Sequence, residues 1–593
     1  SVNYYNVRNN ILVVNGNSNT TNHLPFYTTT TANGSTRVLD YNVYYNKTGQ
    51  YACYNGGYRT KTALNTYSSS SDRNSKSVMV PFKSSSDLHI ADGCFLRFPS
   101  ISSVTTDMDG ANRNPATTHP GADEVETGAL DGGVTEILSP SGVVTAGNQT
   151  VKVAVKNFGT TTITALTVHY QFGSATSQSQ TFTGLSLAGC TSDTLTFTSP
   201  GSHTAGCVQV RSWTSLPNGT TDDVTSNDEG PTTTIGVPMA GGVFTVGTSS
   251  SDFETIQDAI DEMQCAGIGG AVTFNIAAGT YTGQWSIENI LGTSSTNTIT
   301  LQSASGDPAD VILTFANNSY GNFHTLRISS TDYVNLRGLT VQSTNLYNGW
   351  PMHIMMSSNV NVDRCVFKTG GTLTSSSNRT PMVVNSSTTS YSSGSLGNSD
   401  SLHIDSCRFE NGGYGFSIVG RSSSSTLRTS GFMFTNNTMV NAGYYGARMY
   451  YLSGATIHNN TITMNPTSTY SYYPFYLGYV GSSSTQSRTT ITNNIIKNIG
   501  IYGAYMLQCD GASTNRLLFA NNVISGFRVY TSTNYGIYNN GCDYVDYFHN
   551  TVEVNPSSSP ACRAFYRSSG NYLDIRNNIF SVSGSIVSTA SYA

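Results

Sequence analysis

The sequence predicts an all-β protein in which right-handed parallel β-helix solenoids flank a β-sandwich, and three observations predict it. The first is a repeated rung. Leu573-Asp574-Ile575-Arg576-Asn577-Asn578-Ile579-Phe580 alternates apolar and polar residues around paired asparagines, and the unit recurs at 456–462, 490–496 and 518–524, with His549 replacing the first asparagine at 547–552. The second residue of each pair falls at 494, 522, 550 and 578, a spacing of 28, inside the period of roughly 20–50 residues that marks stacked repeats. The second observation is a marker upstream of the later rungs: Tyr414-Gly415, Tyr445-Gly446, Tyr502-Gly503 and Tyr535-Gly536. The third is composition. Only 11% of residues are charged while 36 are tyrosine, against roughly a quarter charged in ordinary soluble domains.

Each element follows from these. Apolar alternation on either side of the pair predicts short strands with one face inward. Asparagine tolerates left-handed backbone angles, so the pair suits a tight bend, and its amide can bond to the amide of the next rung in a ladder. Glycine after tyrosine lets the backbone turn close to its neighbour while the following apolar residue points inward. Serine-rich loops such as 421–425 and 481–484 absorb the variation in rung length.

The net charge of −5 and the lack of a basic block exclude a nucleic-acid partner. No apolar run is long enough to span a bilayer. Ten cysteines are too few for a disulfide scaffold. Cys365 and Cys407 follow matching Asp-x pairs, and Cys509-Asp510 matches Cys542-Asp543; on stacked strands about 4.8 Å apart either pair could be a disulfide or a row of free thiols. Cys190 with Cys207 is the expected disulfide, since both fall within one small domain.

Three segments are expected. Residues 1–126 hold further rungs, including Asn9-Asn10 and Tyr41-Asn42, and end at Thr106-Asp107-Met108-Asp109-Gly110-Ala111-Asn112-Arg113 and Gly121-Ala122-Asp123-Glu124. Asp107, Asp109 and Asn112 could ligate calcium through oxygen, or the turn could cap backbone amides. Residues 127–237 carry alternating strands at sandwich spacing; Asp222, Asp223 and Asp228 in its last loop could hold a cation or be solvated. Residues 238–593 begin with Phe253, Ile256, Ile260 and Met263 on one face of a short helix that Ser251 or Asp252 would cap. Rungs then run to Phe580 with no closing signature, which leaves an apolar cross-section and a strand edge to be covered.

These motifs carry resemblances. The T-D-x-D-G-x-x-R and G-A-D-E segments resemble the closing signature of β-helix proteins exported by Bacteroidetes-type bacteria. Lys156-Asn157-Phe158-Gly159 with Pro217-Asn218-Gly219 resembles immunoglobulin-like adhesion modules of large bacterial surface proteins, making the sandwich immunoglobulin-like. The 253–263 helix followed by Val272-Thr273-Phe274 and Gly279-Thr280-Tyr281 resembles the N-terminal cap of the pectate-lyase-like superfamily. Together the segments resemble giant surface adhesins and filaments of Bacteroidetes, which implies an extracellular, glycosylated structural protein.

Enzymes of the pectate-lyase-like fold use clustered carboxylates on polysaccharides. Here the acids beyond residue 327 are scattered, and the closest to a stack are Asp363/Asp405 and Asp510/Asp543. No histidine pair has metal spacing. The surface is instead aromatic and hydroxylic: Tyr450, Tyr473, Tyr476, Tyr505 and Tyr538, with Tyr470 and Tyr472 nearby, could bind glycan or another filament, or simply cover the solenoid. Thr194 and Ser401 lie in D-S/T-aliphatic motifs that resemble Bacteroidetes O-glycosylation sites, and sequons occur at Asn33, Asn46, Asn148, Asn218 and Asn378.

The expected function is therefore a non-catalytic structural and adhesive repeat of a long extracellular protein, with no cofactor beyond structural calcium. The expected partners are further copies end to end and surface polysaccharide. A polysaccharide lyase or glycoside hydrolase, and a phage or virus fibre, are the alternatives. If another copy followed Ala593 directly, its Asn10 would fall 593 + 10 − 578 = 25 residues after Asn578, close to the rung period.

Overall fold

The computed structural model describes residues 4–14, 24–29, 36–47, 51–55, 58–60, 64, 71–83, 86–94, 96–126, 128–316, 321–371, 375–394, 399–421, 428–467, 473–528, 532–556 and 561–583. Asn33, Tyr470, Tyr472 and most of the 421–425 loop lie outside them. The chain forms two compact units: Ser1–Gly142, Gly147–His203 and Val208–Thr234 make one; Val143–Ala146, Thr204–Cys207 and Ile235–Ala593 make the other.

The larger unit is a parallel β-helix with three faces. A 12-stranded sheet runs from Gly242–Val246 to Asp574–Arg576, an 11-stranded sheet from Gly279–Thr282 to Ile579–Val582, and a 10-stranded sheet from Trp285–Glu288 to Cys562–Ser569. Inward residues stack rung upon rung into one core; Phe367 and Phe409 lie 5.5 Å apart in such a row on the 11-stranded sheet, and Phe434 of the 12-stranded sheet meets Phe409 at 5.7 Å.

The asparagine pair divides its work. The first residue of each pair takes the left-handed conformation that turns the corner, with φ of 56° at Asn459, 60° at Asn493, 57° at Asn521, 55° at His549 and 56° at Asn577. The second is buried and builds the ladder. The side-chain oxygen of Asn522 accepts both the backbone N–H (3.0 Å) and the amide N–H (2.9 Å) of Asn494, while its own amide donates to Ile491 O (2.9 Å) and Asn550 Oδ1 (3.0 Å). The same bonds run from Asn437 through Asn460, Asn494, Asn522 and Asn550 to Asn578. Histidine is tolerated at 549 because only the bend is needed there.

The helix Ile256–Ala266 buries Ile256, Ala259, Ile260 and Met263 against Val246, Phe274, Ile276 and Leu301, covering the first rung. Its cap differs from the sequence expectation. Thr255 is the N-cap, bonded reciprocally with Asp258, whereas Asp252 accepts from Thr245 on the adjacent strand. A capping box satisfies two orphan amides at once, so it sets the start of the helix at Ile256 and leaves Phe253 outside it.

In the smaller unit, Tyr5–Arg8 pairs in parallel with Arg37–Asp40, and Ile11–Val14 with Val43–Asn46. Asn10 and Asn42 repeat the ladder, with Asn42 Oδ1 accepting Asn10 N–H (3.1 Å) and its amide (2.9 Å). The closing signature grips itself: Arg113 donates to the carbonyls of Gly121 (3.0 Å) and Ala122 (2.7 Å) and to Glu124 (3.3 Å). Beyond it stands an antiparallel sandwich. Gly132–Ser139, Lys152–Asn157 and Ser192–Thr196 form one sheet; Ile163–Phe172 lies between Gln178–Leu187 and Gly206–Ser215 in the other. The sheets meet where Phe197 packs edge-on against Tyr170 (4.7 Å) and Phe182 (5.5 Å).

Candidate functional site

The Tyr-Gly marker opens the strands Tyr414–Val419, Tyr445–Tyr450 and Tyr502–Leu507 of the third sheet and follows Asn534 in Asn534–Asn540, while Tyr473–Gly478 opens on Tyr473-Pro474 instead. At Gly503 a Cβ would come within 2.5 Å of the Gly536 carbonyl and 2.4 Å of Ile524, so the close neighbouring rung requires glycine. This buried residue interrupts strict alternation. The opening tyrosine and the residue three positions later both lie half-buried on the outside, as Tyr502 and Tyr505 do around buried Gly503 and Ala504.

Parallel register then stacks those positions into two columns. Tyr445, Tyr473, Tyr502 and Tyr535 form one, with ring centroids 5.0, 4.9 and 5.1 Å apart and planes within 14°. Tyr450, Tyr476, Tyr505 and Tyr538 form the other, at 5.4, 4.9 and 4.9 Å and within 18°. Tyr450 belongs by a different route from the rest. It pairs in register with Gly478, and its ring fills the space a side chain there would take.

Arginines close the columns. The Arg448 guanidinium lies 4.2 Å from the Tyr450 ring centre, and that of Arg563 lies 4.7 Å from Tyr566 and 5.3 Å from Tyr535, while donating to the Tyr535 hydroxyl (2.9 Å). The expected contact residues Tyr450, Tyr473, Tyr476, Tyr505 and Tyr538 are thus brought together, but with their faces turned to one another. The columns offer hydroxyls and ring edges outward, not the open faces on which a sugar ring stacks. Burial, reinforced by the charge of neighbouring phenolates, raises the pKa of Tyr445, Tyr473, Tyr476 and Tyr502, the last pushed up to about 12.

The carboxylate pairs weighed for catalysis are in register but are bound into turns. Asp363 lies beside Asp405; Asp363 pairs with Arg364 (3.0 Å), and Asp405 accepts from Ser406 (2.7 Å), Asn436 (2.7 Å) and Thr435. Asp510 accepts the backbone N–H of Asp543 (3.0 Å), which in turn accepts that of Asn571.

The expected calcium set needs correction. Asp107 Oδ1 accepts the amides of Asp109 (3.0 Å) and Ala111 (2.8 Å), and its Oδ2 accepts that of Glu124 (3.1 Å). Those amides hold its carboxyl below the usual range against the effect of burial. Asn112 forms a backbone bridge with Thr106. Asp107 is therefore a turn cap, and Asp109 is brought instead to His89 and Asp123, whose ligand atoms lie within 4.8 Å of one another. His89 Nε2 is 2.9 Å from Asp109 Oδ2, and Asp87 binds the other ring nitrogen, as a carboxylate does behind a metal-bound imidazole. This group has the donors for a transition-metal ion.

The disulfide expectation also needs correction. Cys190 bonds to Cys94 and Cys207 to Cys265, with Cα separations of 5.5 and 6.2 Å. Shared membership of the sandwich misled: Cys190 sits in the turn that reaches Cys94, whereas Cys207 meets the cap helix. Cys365, Cys407, Cys509 and Cys542 are buried free thiols. Thr194 is exposed on its strand, while Ser401 sits half-buried in a left-handed turn.

Residues 372–580 match the right handed beta helix region family. That β-helix region contains both tyrosine columns and the asparagine ladder from Asn437 to Asn578. Among curated proteins none matches the chain. Two solved structures resemble parts of it. The Streptococcus pneumoniae surface protein and adhesin PfbA is 13% identical over 55% of this chain and 94% of its own, with a TM-score of 0.24. The CARDB domain of the Pyrococcus furiosus PF1109 protein, solved in complex with di-metal ions, is 19% identical over 19% of this chain and 94% of its own, with a TM-score of 0.16. No helix among the described residues is long and apolar enough to cross a membrane.

Proposed function

We propose that this β-helix repeat protein is a non-catalytic structural and adhesive segment of a long extracellular bacterial surface protein or filament, in which β-helices join end to end. One observation carries the reading: the asparagine ladder ends in complementary groups. In every inner rung the backbone N–H of one asparagine donates to the side-chain oxygen of the next, whose amide reaches the carbonyl three residues before the first. Asn578, the last described member, has its N–H directed onward, and Asn10 has a side-chain oxygen to receive it. Aligning Asn578 with Asn10 sets Ile575 beside Val7, Ile579 beside Ile11, Phe580 beside Leu12 and Val582 beside Val14.

The described residues at 579–582 leave apolar side chains open to such a partner. Phe580 is 37% exposed, although its register-mate Val552 is fully buried, and Ile579 is 62% exposed. Covering these side chains favours association by about 25 cal/mol per Å² of apolar surface. The carboxylates bound into turns and the two tyrosine columns further support a structural role over hydrolysis of a glycan. Stiff columns of rings suit a fibre that bears load.

Negative-stain microscopy of the purified protein over rising concentration tests this. Linear end-to-end stacks are expected, and Asn10→Ala, which removes the acceptor, is expected to shift them to single particles. Single particles at every concentration, or stacks indifferent to Asn10→Ala, would contradict the reading.

A further inference from the structure

The last loop of the sandwich brings Asp222, Asp223 and Asp228 against the strand entry at 128–134, which holds Asp131, and the structure separates the roles of these four acids. Asp222 accepts the amides of Val224 (2.9 Å) and Gly132 (2.9 Å), and Asp223 accepts that of Leu130 (2.9 Å). Both carboxylates hold the loop to a segment some 90 residues upstream. Asp131 and Asp228 are different.

Asp131 is only 1% exposed. Its Oδ2 accepts the Asn227 amide at 3.3 Å, but its Oδ1 is buried without a hydrogen-bond partner. Asn227 Oδ1 is likewise buried and unpartnered. Beside them, Asp228 receives a single side-chain bond, from Thr214 Oγ1 at 3.3 Å. The loop is pressed onto the strand here: Val134 N–H donates to Asp228 O at 3.1 Å, and a Cβ on Gly133 would lie 2.3 Å from Asn227 O. Among the described residues no basic side chain pairs with Asp131, Asp222 or Asp228; Lys156 is held by Asp92 and Arg211 by Glu229.

A buried carboxylate oxygen and a buried amide oxygen, both unpaired, among mutually repelling acids are costly to maintain. Burial and repulsion push Asp131 up to about 6 and Asp228 to about 7. A divalent cation would satisfy both oxygens and cancel the repulsion. The donors are all oxygen, two of them anionic, which suits a hard ion and disfavours zinc or copper.

We propose that Asp131, Asn227 and Asp228 bind a calcium ion that locks the 222–230 loop to the first strand of the sandwich, water completing the coordination. Asp222 and Asp223 shape the loop and stay outside the ligand set. Asn227 lines one cavity with the His89, Asp109 and Asp123 group, but the two ligand sets share no residue.

Terbium, a luminescent stand-in for calcium, tests this on the full chain, because Trp213 lies on the strand next to Thr214 and its backbone bridges Glu229. Excitation of tryptophan should give saturable terbium emission that calcium displaces. Asn227→Ala, which removes one neutral oxygen, and Asp228→Asn should each weaken binding at least about tenfold, since affinity follows the number and charge of the ligands. Asp131→Asn should abolish binding yet remain folded, because it keeps the shape and removes repulsion; its circular dichroism should match that of the parent chain. Absence of calcium-displaceable emission, or emission that survives Asn227→Ala and Asp228→Asn, would overturn the proposal.

Discussion

Asn522→Ala is expected to lower the stability of the β-helix by about 2–6 kcal/mol. The side chain is fully buried and accepts two bonds from Asn494 while donating to Ile491 O and Asn550. Alanine leaves the Asn494 backbone N–H and one of the two Asn494 amide hydrogens, the other being held by Ile457 O, without acceptors in a dry interior, each orphan costing about 1–3 kcal/mol. Chemical denaturation monitored by circular dichroism measures the change. Asn521→Ala, one residue earlier, removes no ladder bond and affects only the left-handed bend, which costs about 1–2 kcal/mol. A loss at 522 no greater than at 521 would mean that the ladder contributes little.

The second large effect is alkaline unfolding. Tyr445, Tyr473, Tyr476 and Tyr502 have raised pKa values because burial, and then neighbouring phenolate charge, disfavour the phenolate. An acid raised in the folded state favours folding while it stays protonated. The contribution is therefore fully present below about pH 10, the unfolded value, and is lost as pH rises towards the folded value, about 12 at Tyr502. Tyrosine ionisation and loss of β structure should accordingly coincide above pH 10, followed by ultraviolet absorbance and circular dichroism on one sample. Tyr445, Tyr473, Tyr476 and Tyr502 titrating near 10 with the fold intact would contradict the packing described.

Much of this was legible in the sequence because the fold repeats. Asn493-Asn494, Asn521-Asn522 and Asn577-Asn578 display bend and ladder together, and Tyr502-Gly503 and Tyr535-Gly536 mark the third face, since parallel register converts equal spacing directly into contact. What was not legible depends on contacts that do not repeat. Cys94 reaches Cys190 and Cys207 reaches Cys265 across 96 and 58 residues, and nothing near either cysteine signals its partner. Arg448 and Arg563 close the tyrosine columns from positions that look like ordinary surface charges. Asp107 reads as a calcium ligand because Asp-x-Asp-Gly suits both ligation and amide capping, and only the positions of the Ala111 and Glu124 amides decide between them. Asp222, Asp223 and Asp228 drew attention to the right loop, yet the buried acid facing it, Asp131, lies in a segment without a motif.

The central claim is that the last rung pairs with the first rung of a following copy. Amide hydrogen exchange on two copies expressed in tandem, compared with one, tests it most directly. The account predicts that Ile579–Val582 of the first copy and Ile11–Val14 of the second become as protected as the inner strand Thr551–Val554. Exchange at both strands as fast in the tandem as in the single chain would contradict it.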